Sequence, residues 1–561
     1  MSSGNGFKPS ASVQAQEPIN MSKSKQYSHD DRELTRLGKK PVLARNFSFL
    51  TILGFSCTLL STWEGTLVLF LQGYLNGGPS GLIYGYIVAW IGTVSLFITL
   101  SELVSMAPTS AGQYHWVYML APPKSKQFLS YITGWIAVTG WQGVVASAAY
   151  LTGTLIQGLI LLTHPSYLAS MKSWHGTLLF WAVVLVSFVI NSSVGTTLAR
   201  FEGTVLILHI LGFFAVLLSI VLLGTPGPSA SVFDTWLNLG GWETQGLSFS
   251  IGILGNVFSF LGADGAIHMS EEIRDAAVIL PRSLIAGIAI NGALGFGMLI
   301  VVLFFVGDID AALAANPLYP FMSIFQQNLG STAGAAVLSA VIIVLAFSAT
   351  TGGLASCSRI YWAFSRDRGL PGWRFLKTVN PKTRIPFNSV IVAAILSIIL
   401  SLVNIGGAAA FTGVVSITIS GLFGSYLIAC SLLLYRRMTG AMGTRSDTDD
   451  IASVDPTKPT WGPWRVRGWL GIANNAFTCA FLTYALFFSF WPTYKAVTPA
   501  NFNYVVLVTG VVLVFSVVYY AVHARRVFTG PVVESAETVL QDYTRSDTPA
   551  AHSEQRGSTA S

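Results

Sequence analysis

NVFSFLGADGAIHMSEEIRDAAVILPR, residues 256–282, is the stretch on which the reading of this chain turns. From about Leu247 to His268 the chain is as apolar as a membrane helix, yet Gly262, Asp264 and Gly265 sit close to the centre of that run. Glycine loosens a helix. A carboxylate in hydrocarbon costs about 2.5–3.5 kcal/mol on insertion scales, so it persists only beside water, a partner or a ligand. The run predicts a membrane helix that breaks, with a polar site at the break.

Composition puts the rest of the chain in the same setting. Of 561 residues, 52% are hydrophobic and 10% charged, against about a quarter charged in soluble domains. Mean hydropathy is +0.59, which excludes a soluble globule. The net charge of +7 matters through its position along the chain, and no nucleic-acid partner is expected. Cys57, Cys357, Cys430 and Cys479 all fall in apolar runs, without spacing suited to zinc or a disulfide framework, and read as packing residues.

Twelve runs are long enough for the roughly 20 residues a helix needs to cross the hydrocarbon core. They lie near 47–71, 82–106, 128–161, 176–195, 203–224, 247–270, 283–307, 333–364, 387–405, 412–435, 470–491 and 503–523. When loops are assigned alternately to two sides, one side collects Arg36, Lys39, Lys40, Arg45, Lys124, Lys126, Arg200, Arg274, Arg282, the basic residues of 366–384 and 436–467, and Arg525 and Arg526. The other holds only Lys172 and Lys495. Positive charge marks the cytoplasmic side, so both termini are expected there. The expected organisation is a disordered tail (1–45), a core of helices one to ten (46–435), a cytoplasmic loop (436–469), helices eleven and twelve (470–524) and a second disordered tail (525–561).

The first span, FSFLTILGFSCTLLSTWEGTLVLFLQ, is interrupted past its midpoint by residues 61–66, and Glu64 is an acid with no base in its own helix. Spans one and six are five apart. Transporters built from two inverted five-helix repeats carry broken helices at such positions, around a site near the bilayer midplane.

The chain resembles the amino acid–polyamine–organocation (APC) superfamily, and within it the fungal amino acid/choline permeases. The resemblance rests on GGPSGLIYG (77–85), SELVSMAPTSAGQYHWV (101–117), GWQG (140–143) and FLGADGAIHMSEEIRDAAVILPR (260–282). It implies an all-α polytopic protein of 12 transmembrane helices, with a LeuT-like 5+5 inverted repeat, broken helices 1 and 6, and two extra C-terminal helices. In such proteins the unwound backbone of spans one and six holds the substrate's amine and carboxylate. Counting back from Gly78-Pro79, residues Thr62, Trp63, Glu64, Gly65 and Thr66 stand where the family has a glycine-rich unwound segment. Glu64 would favour a cationic head group, and Trp63 would add a cation–π face worth about 0.5–2 kcal/mol. Gln142, Phe260, Gly262 and Asp264 complete the expected substrate site.

Plainer readings stand beside these. Glu64 and Asp264 would serve as caps for freed backbone N–H groups, Trp63 and Phe260 as packing, Gly262 and Gly265 as the permission for the break, and Gln142 as a tie between helices. His209 in span five is the candidate coupling group because histidine titrates near neutrality. Ser348 and Thr351 in span eight, beside Thr350, are hydroxyls of the kind that ligate sodium in related folds, and also of the kind that pack helices. Glu102 near Pro108, and Glu271, Glu272 and Arg274 after span six, are candidate gate charges.

An enzyme is not expected: HExxH, nucleophile-elbow, Walker A and clustered His/Cys patterns are absent from the sequence, and no cofactor or metal is called for. The expected function is secondary active import of a small amine-bearing solute by alternating access. Choline or another quaternary amine competes with an amino acid such as 4-aminobutyrate (GABA), and the coupling ion is a proton, with sodium as the alternative. A nutrient sensor that keeps the permease fold with little flux is the other reading. The expected setting is the lipid bilayer of the plasma membrane, with the vacuolar membrane as alternative.

Overall fold

The computed structural model describes residues 29–193, 196–402, 409–443, 459–499 and 501–532. Among these the chain is helical throughout and holds no strand, only the isolated bridges Phe47–Ile273 and Gly443–Thr460. The order is α1 (His29–Arg36), α2 (Phe49–Leu60), α3 (Thr62–Val68), α4 (Phe70–Met106), α5 (Gln113–Leu120), α6 (Lys126–Thr163), α7 (Ser173–Ser192) and α8 (Thr196–Leu223). There follow α9 (Gln245–Gly252), α10 (Leu254–Phe258), α11 (Gly265–His268), α12 (Ala276–Phe304), α13 (Thr332–Arg366), α14 (Phe387–Ser401), α15 (Ala409–Met438), α16 (Gly468–Ser489) and α17 (Val505–Val522).

Nine helices among the described residues are long and apolar enough to cross a membrane: α4, α6, α7, α8, α12, α13, α16, α17 and the Ile417–Met438 part of α15. Three of the expected runs take another form. The first is split into α2 and α3, the sixth into α9, α10 and α11, and the ninth is the 15-residue α14.

Side chains on these helices are sorted inside out. Along α8, Ile207, Leu211, Phe214 and Leu218 are exposed at three- and four-residue spacing, while Glu202, His209 and Gly212 are buried. A helix that shows leucine outward and hides its acid and imidazole has lipid for its solvent, and its polar face is turned toward partners. α6 runs through the middle of the bundle, packed against α13 and α15.

Two segments depart from the expected disorder. In 29–45, α1 buries Leu34, and Leu37 and Lys39 are buried after it. Arg36 donates to Met106 O at 3.1 Å, and Arg45 pairs with Asp31 at 2.7 Å. The polar composition concealed this because its charges find partners on the bundle instead of in solvent. After α17, Phe528 is buried against the rings of Tyr131 and Phe364, with centroids 5.3 and 5.7 Å away. Most of the expected tails, 1–28 and 533–561, and residues 444–458 of the expected loop lie outside the described residues.

Candidate functional site

The two interrupted helices touch at their interruptions. α2 ends at Ser61, whose φ of 45° and ψ of 44° are left-handed, and Ser61 N–H donates to Cys57 O at 3.2 Å. That single residue ends one helix and starts the next, since Gly65 N–H donates back to Ser61 O at 2.7 Å. The expectation of an unwound Thr62–Thr66 is therefore corrected: the break is confined to Ser61, and those residues form the first turns of α3.

Across from it, residues 259–264 separate α10 from α11, and Gly262 takes a φ of 117°. A Cβ there would stand 2.8 Å from Leu59 O. Gly65 is likewise pressed on Ser259, whose Oγ would lie 2.8 Å from an added Cβ. The Ser259 hydroxyl can rotate, but its Cβ and Cα would still stand 3.0 and 3.4 Å from the added atom, so both glycines mark a close approach of the two segments. Gly262→Ala is expected to cost about 1–2 kcal/mol for the left-handed backbone alone, lowering both thermal stability and uptake. Gly65→Ala, which carries the steric cost without the backbone cost, should lower thermal stability less than Gly262→Ala.

Between the breaks lies a cavity of about 90 Å³. α2, α3, α6, α10, α13 and α15 all contribute to its wall. Most of the wall is apolar, with Val68, Val144, Leu151 and Leu261 among its residues; Ser61, Ser147, Ser259 and Thr418 supply hydroxyls. Glu64 is the one charged residue among those lining it. α2 also ends on this wall, and the C-terminal end of a helix carries partial negative charge.

Glu64 is buried and held from behind. Its Oε1 lies 2.7 Å from His209 Nδ1, and Trp63 Nε1 lies 3.2 Å from the same ring nitrogen. Among the described residues, Oε2 of Glu64 and Nε2 of His209 have no hydrogen-bond partner. One oxygen of the acid is thus committed to imidazole, and the other is closed off from solvent in this conformation.

Of the expected substrate residues, only Glu64 and Gly65 line the cavity. Trp63 turns away from it, fully buried against His209 and Phe213 with ring centroids 5.9 and 6.0 Å away, so it offers no face to a ligand here. Thr62 is buried, and Thr66 donates to Trp63 O at 2.8 Å. Phe260 packs on Tyr86, with centroids 5.0 Å apart. Gln142 ties three helices, donating to Ala393 O at 3.2 Å and Ser397 Oγ at 2.7 Å and accepting from Tyr361 OH at 3.1 Å. Asp264, buried at the start of α11, accepts from Gln113 Nε2 at 3.4 Å.

The expected ion residues do not converge. Ser348 Oγ donates to Glu202 Oε2 at 3.3 Å, whereas Thr351 Oγ1 lies 3.1 Å from Ser187 Oγ on another side of α13. His209 belongs with Glu64. The buried Glu202, the cavity hydroxyls of Ser61, Ser147 and Ser259, and the bases that serve the gate acids were not singled out in the sequence. For Glu202 a signal existed: it stands seven residues before His209, on the same face of α8.

The gate acids are paired, but not with Arg274, which is exposed. Glu271 takes a two-pronged bond from Arg366 at 2.8 and 2.9 Å, and Glu272 binds Arg359 at 2.7 Å, both bases coming from α13. Glu102 pairs with Arg437 of α15 and accepts from Val466 N at 2.7 Å. Arg274 is displaced because Asp275, with a φ of 50°, turns the chain into α12 and carries its neighbour outward.

Beside these pairs, at the end of α13, Asp367 gathers both terminal segments. Lys39 Nζ lies 2.6 Å from it, Tyr114 OH donates at 2.8 Å, and Val532 N–H donates at 2.9 Å. Burial alone would raise the Asp367 carboxyl, but the Lys39 and Arg366 charges outweigh it and hold it below the usual aspartate value. Burial pulls Lys39 below its usual value. His115, on α5, is lowered to about 3 by burial and by Lys39.

Residues 47–513 match the family model described as amino acid permease. A choline transporter of Saccharomyces cerevisiae is 28% identical over 503 residues, covering 89% of this chain and 85% of that one. An amino-acid permease BAT1 homolog of Oryza sativa subsp. japonica is 30% identical over 410 residues, 70% and 78% of the two chains. A GABA-specific permease of Saccharomyces cerevisiae is 26% identical over 530 residues, 92% and 87%.

Proposed function

Given that the chain belongs to the amino acid permease family of the APC superfamily, a family of multi-pass membrane transporters and not of enzymes, we propose that it imports a small organic cation, choline or a near relative, by proton-coupled alternating access. The observation that carries this reading is the cavity at the two breaks, where Glu64 is the one charged residue on an otherwise apolar and hydroxyl-bearing wall. A quaternary ammonium needs a carboxylate and apolar surface. A zwitterion needs in addition donors for its own carboxylate; no basic side chain stands among the described lining residues, which leaves that task to the hydroxyls and to the backbone N–H groups at the start of α3. The amino acid reading, GABA included, is supported by the names of the relatives.

The architecture proposed is twelve spans: the nine long helices, α14, and the interrupted α2/α3 and α9/α10/α11 as spans one and six of two inverted repeats. The face holding Lys39, Arg359, Arg366 and Arg437 is taken as cytoplasmic from its surplus of basic residues, and the plasma membrane as the home. Protons are preferred to sodium because the Ser348 and Thr351 hydroxyls point to different neighbours and offer no shared cage. His209 is assigned the orientation of Glu64, since its Nδ1 is engaged there.

The test is uptake of labelled choline in a transporter-deficient yeast expressing the chain, at acidic and neutral pH, with quaternary amines and with neutral, basic and 4-amino acids as competitors. Saturable uptake blocked by quaternary amines alone is expected. Absence of choline uptake together with saturable amino acid uptake would overturn the cationic assignment.

A further inference from the structure

We propose that the corner between α4, α15 and α16 is a binding site for the phosphate of an anionic phospholipid, separate from the substrate cavity. The site is independent of the solute carried and rests on the assignment of this face to the cytoplasm. Between the three packed helices lies a cleft of about 390 Å³. Arg436, Arg437, Arg465 and Arg467 line it, together with Trp461 and Gly468.

Two stretches of chain build the cleft. The last turn of α15 supplies Arg436 and Arg437, and the segment 459–467 supplies Arg465 and Arg467. That segment is fastened to the inner end of α4: Trp464 N–H donates to Ser105 Oγ at 2.9 Å and Val466 N–H to Glu102 Oε1 at 2.7 Å. A Cβ on Gly462 would collide with the Ser105 carbonyl, so the segment lies directly on α4. The arginines are therefore presented from fixed backbone.

Positive charge is left over here. Among the described residues only Arg437 of the four pairs with an acid, Glu102. Arg436 gives its N–H groups to neutral carbonyls, Leu120 O at 2.6 Å and Ala121 O at 3.2 Å. Arg465 and Arg437 share one indole, their guanidinium carbons 5.6 and 4.7 Å from the centroid of the Trp461 ring. Arg437 also lies on the first turn of α16, where a Cβ on Gly471 would collide with its Nη1. That end of a helix carries positive partial charge of its own, which makes it the wrong end for a cation. The N-cap residue Arg467 makes no side-chain cap there. Like charges crowded on a helix start repel one another, and an anion in the cleft reverses the sign of every one of these terms. Phosphate suits them, since guanidinium matches its oxygens with paired N–H donors.

The rim identifies the source of the phosphate. Tyr435, Met438, Trp469 and Leu470 are exposed beside the arginines, and Phe477 is exposed further along α16. Aromatic rings next to arginine are the border found at headgroup depth, and the apolar face below them is one that acyl chains follow. A soluble phosphate makes no use of it. A headgroup held between α15 and 459–467 fastens the corner on which Glu102 is paired.

The test uses the purified full chain in detergent. Native mass spectrometry reads retention of phosphatidylinositol 4-phosphate against phosphatidylcholine, and thermal unfolding reads stabilisation. The anionic lipid is expected to be retained and to raise the thermal midpoint, and phosphatidylcholine to do neither. Arg465→Gln with Arg467→Gln should weaken retention about 10- to 30-fold. Lys124→Gln with Lys126→Gln, on another basic loop of the same face, should keep wild-type binding. Equal retention of the two lipids, an unaffected arginine variant, or an equal loss in the lysine variant would each overturn the proposal. Soluble inositol 1,4-bisphosphate is the remaining arm, and binding as tight as that of the whole lipid would overturn the lipid source in favour of a free phosphate. If the double variant does not fold, Arg467→Gln alone serves, at an exposed position. A loss of about fivefold is then expected, and no loss overturns the site. None of these readings uses transport, so failure of choline uptake by the wild type would refute the function proposed above and leave the lipid site standing.

Discussion

Glu64→Gln is expected to weaken choline binding about 10- to 100-fold, the equivalent of about 1.5–3 kcal/mol for a hydrogen-bonded or contacting charge, with surface expression unchanged. Glutamine matches the volume, and its oxygen still reaches His209, whose Nδ1 stands 2.7 Å away. What disappears is the negative charge on a wall that carries no other charged residue. Competition assays on membranes read the change directly as a shift in the choline concentration for half-saturation. Glu64→Asp should recover only part of the affinity, since the shorter acid cannot both reach the cavity and keep its imidazole. Wild-type affinity in the glutamine variant would remove Glu64 from the site.

The second large effect concerns Asp367. Asp367→Ala leaves the buried Lys39 ammonium without its carboxylate, a change that costs about 3–5 kcal/mol when one partner of a buried pair is removed. It also frees Tyr114 and Val532. The thermal midpoint of the purified protein should fall, and cysteines placed at the inner ends of α4 and α13 should label faster. Lys39→Met combined with Asp367→Leu removes both charges and should recover most of the midpoint. The sign of the pH dependence follows from the Asp367 carboxyl lying below its unfolded value. Its contribution is complete above the ordinary aspartate range near pH 4 and is lost as pH falls through the lower folded value, while on the alkaline side the pair is limited by Lys39, whose ammonium burial pulls below its usual value.

Much of this molecule was legible in the amino acids because the membrane punishes what water tolerates. Gly262 and Asp264 announced the sixth break since nothing else explains them in an apolar run, and Glu64 announced the first. The first break was drawn too wide, because Ser61, the first residue of the 61–66 interruption, reaches the left-handed region without being glycine and ends the helix alone. Trp63 was read as a ligand face because spacing tells which residues are near a break, not which way a ring points when His209 and Phe213 compete for it. The partners of Glu271 and Glu272 were hidden by distance along the chain, 95 residues to Arg366 and 87 to Arg359. Glu202 was passed over because an acid near the start of a span looks like any interfacial charge. The packing of Leu34, Leu37 and Phe528 had no pattern to betray it, since single apolar residues in polar segments are common on exposed chain.

The three-way bond at Asp367 also sets an order of assembly. Lys39 is synthesised 328 residues before it and Val532 another 165 after it. Every span of the bundle can therefore be threaded into the bilayer while this corner is still open. The last bond waits for a segment that leaves the ribosome after all the helices have been made. Insertion and closure are separate events in the life of the chain, and the second serves as the signature that translation has run past residue 532.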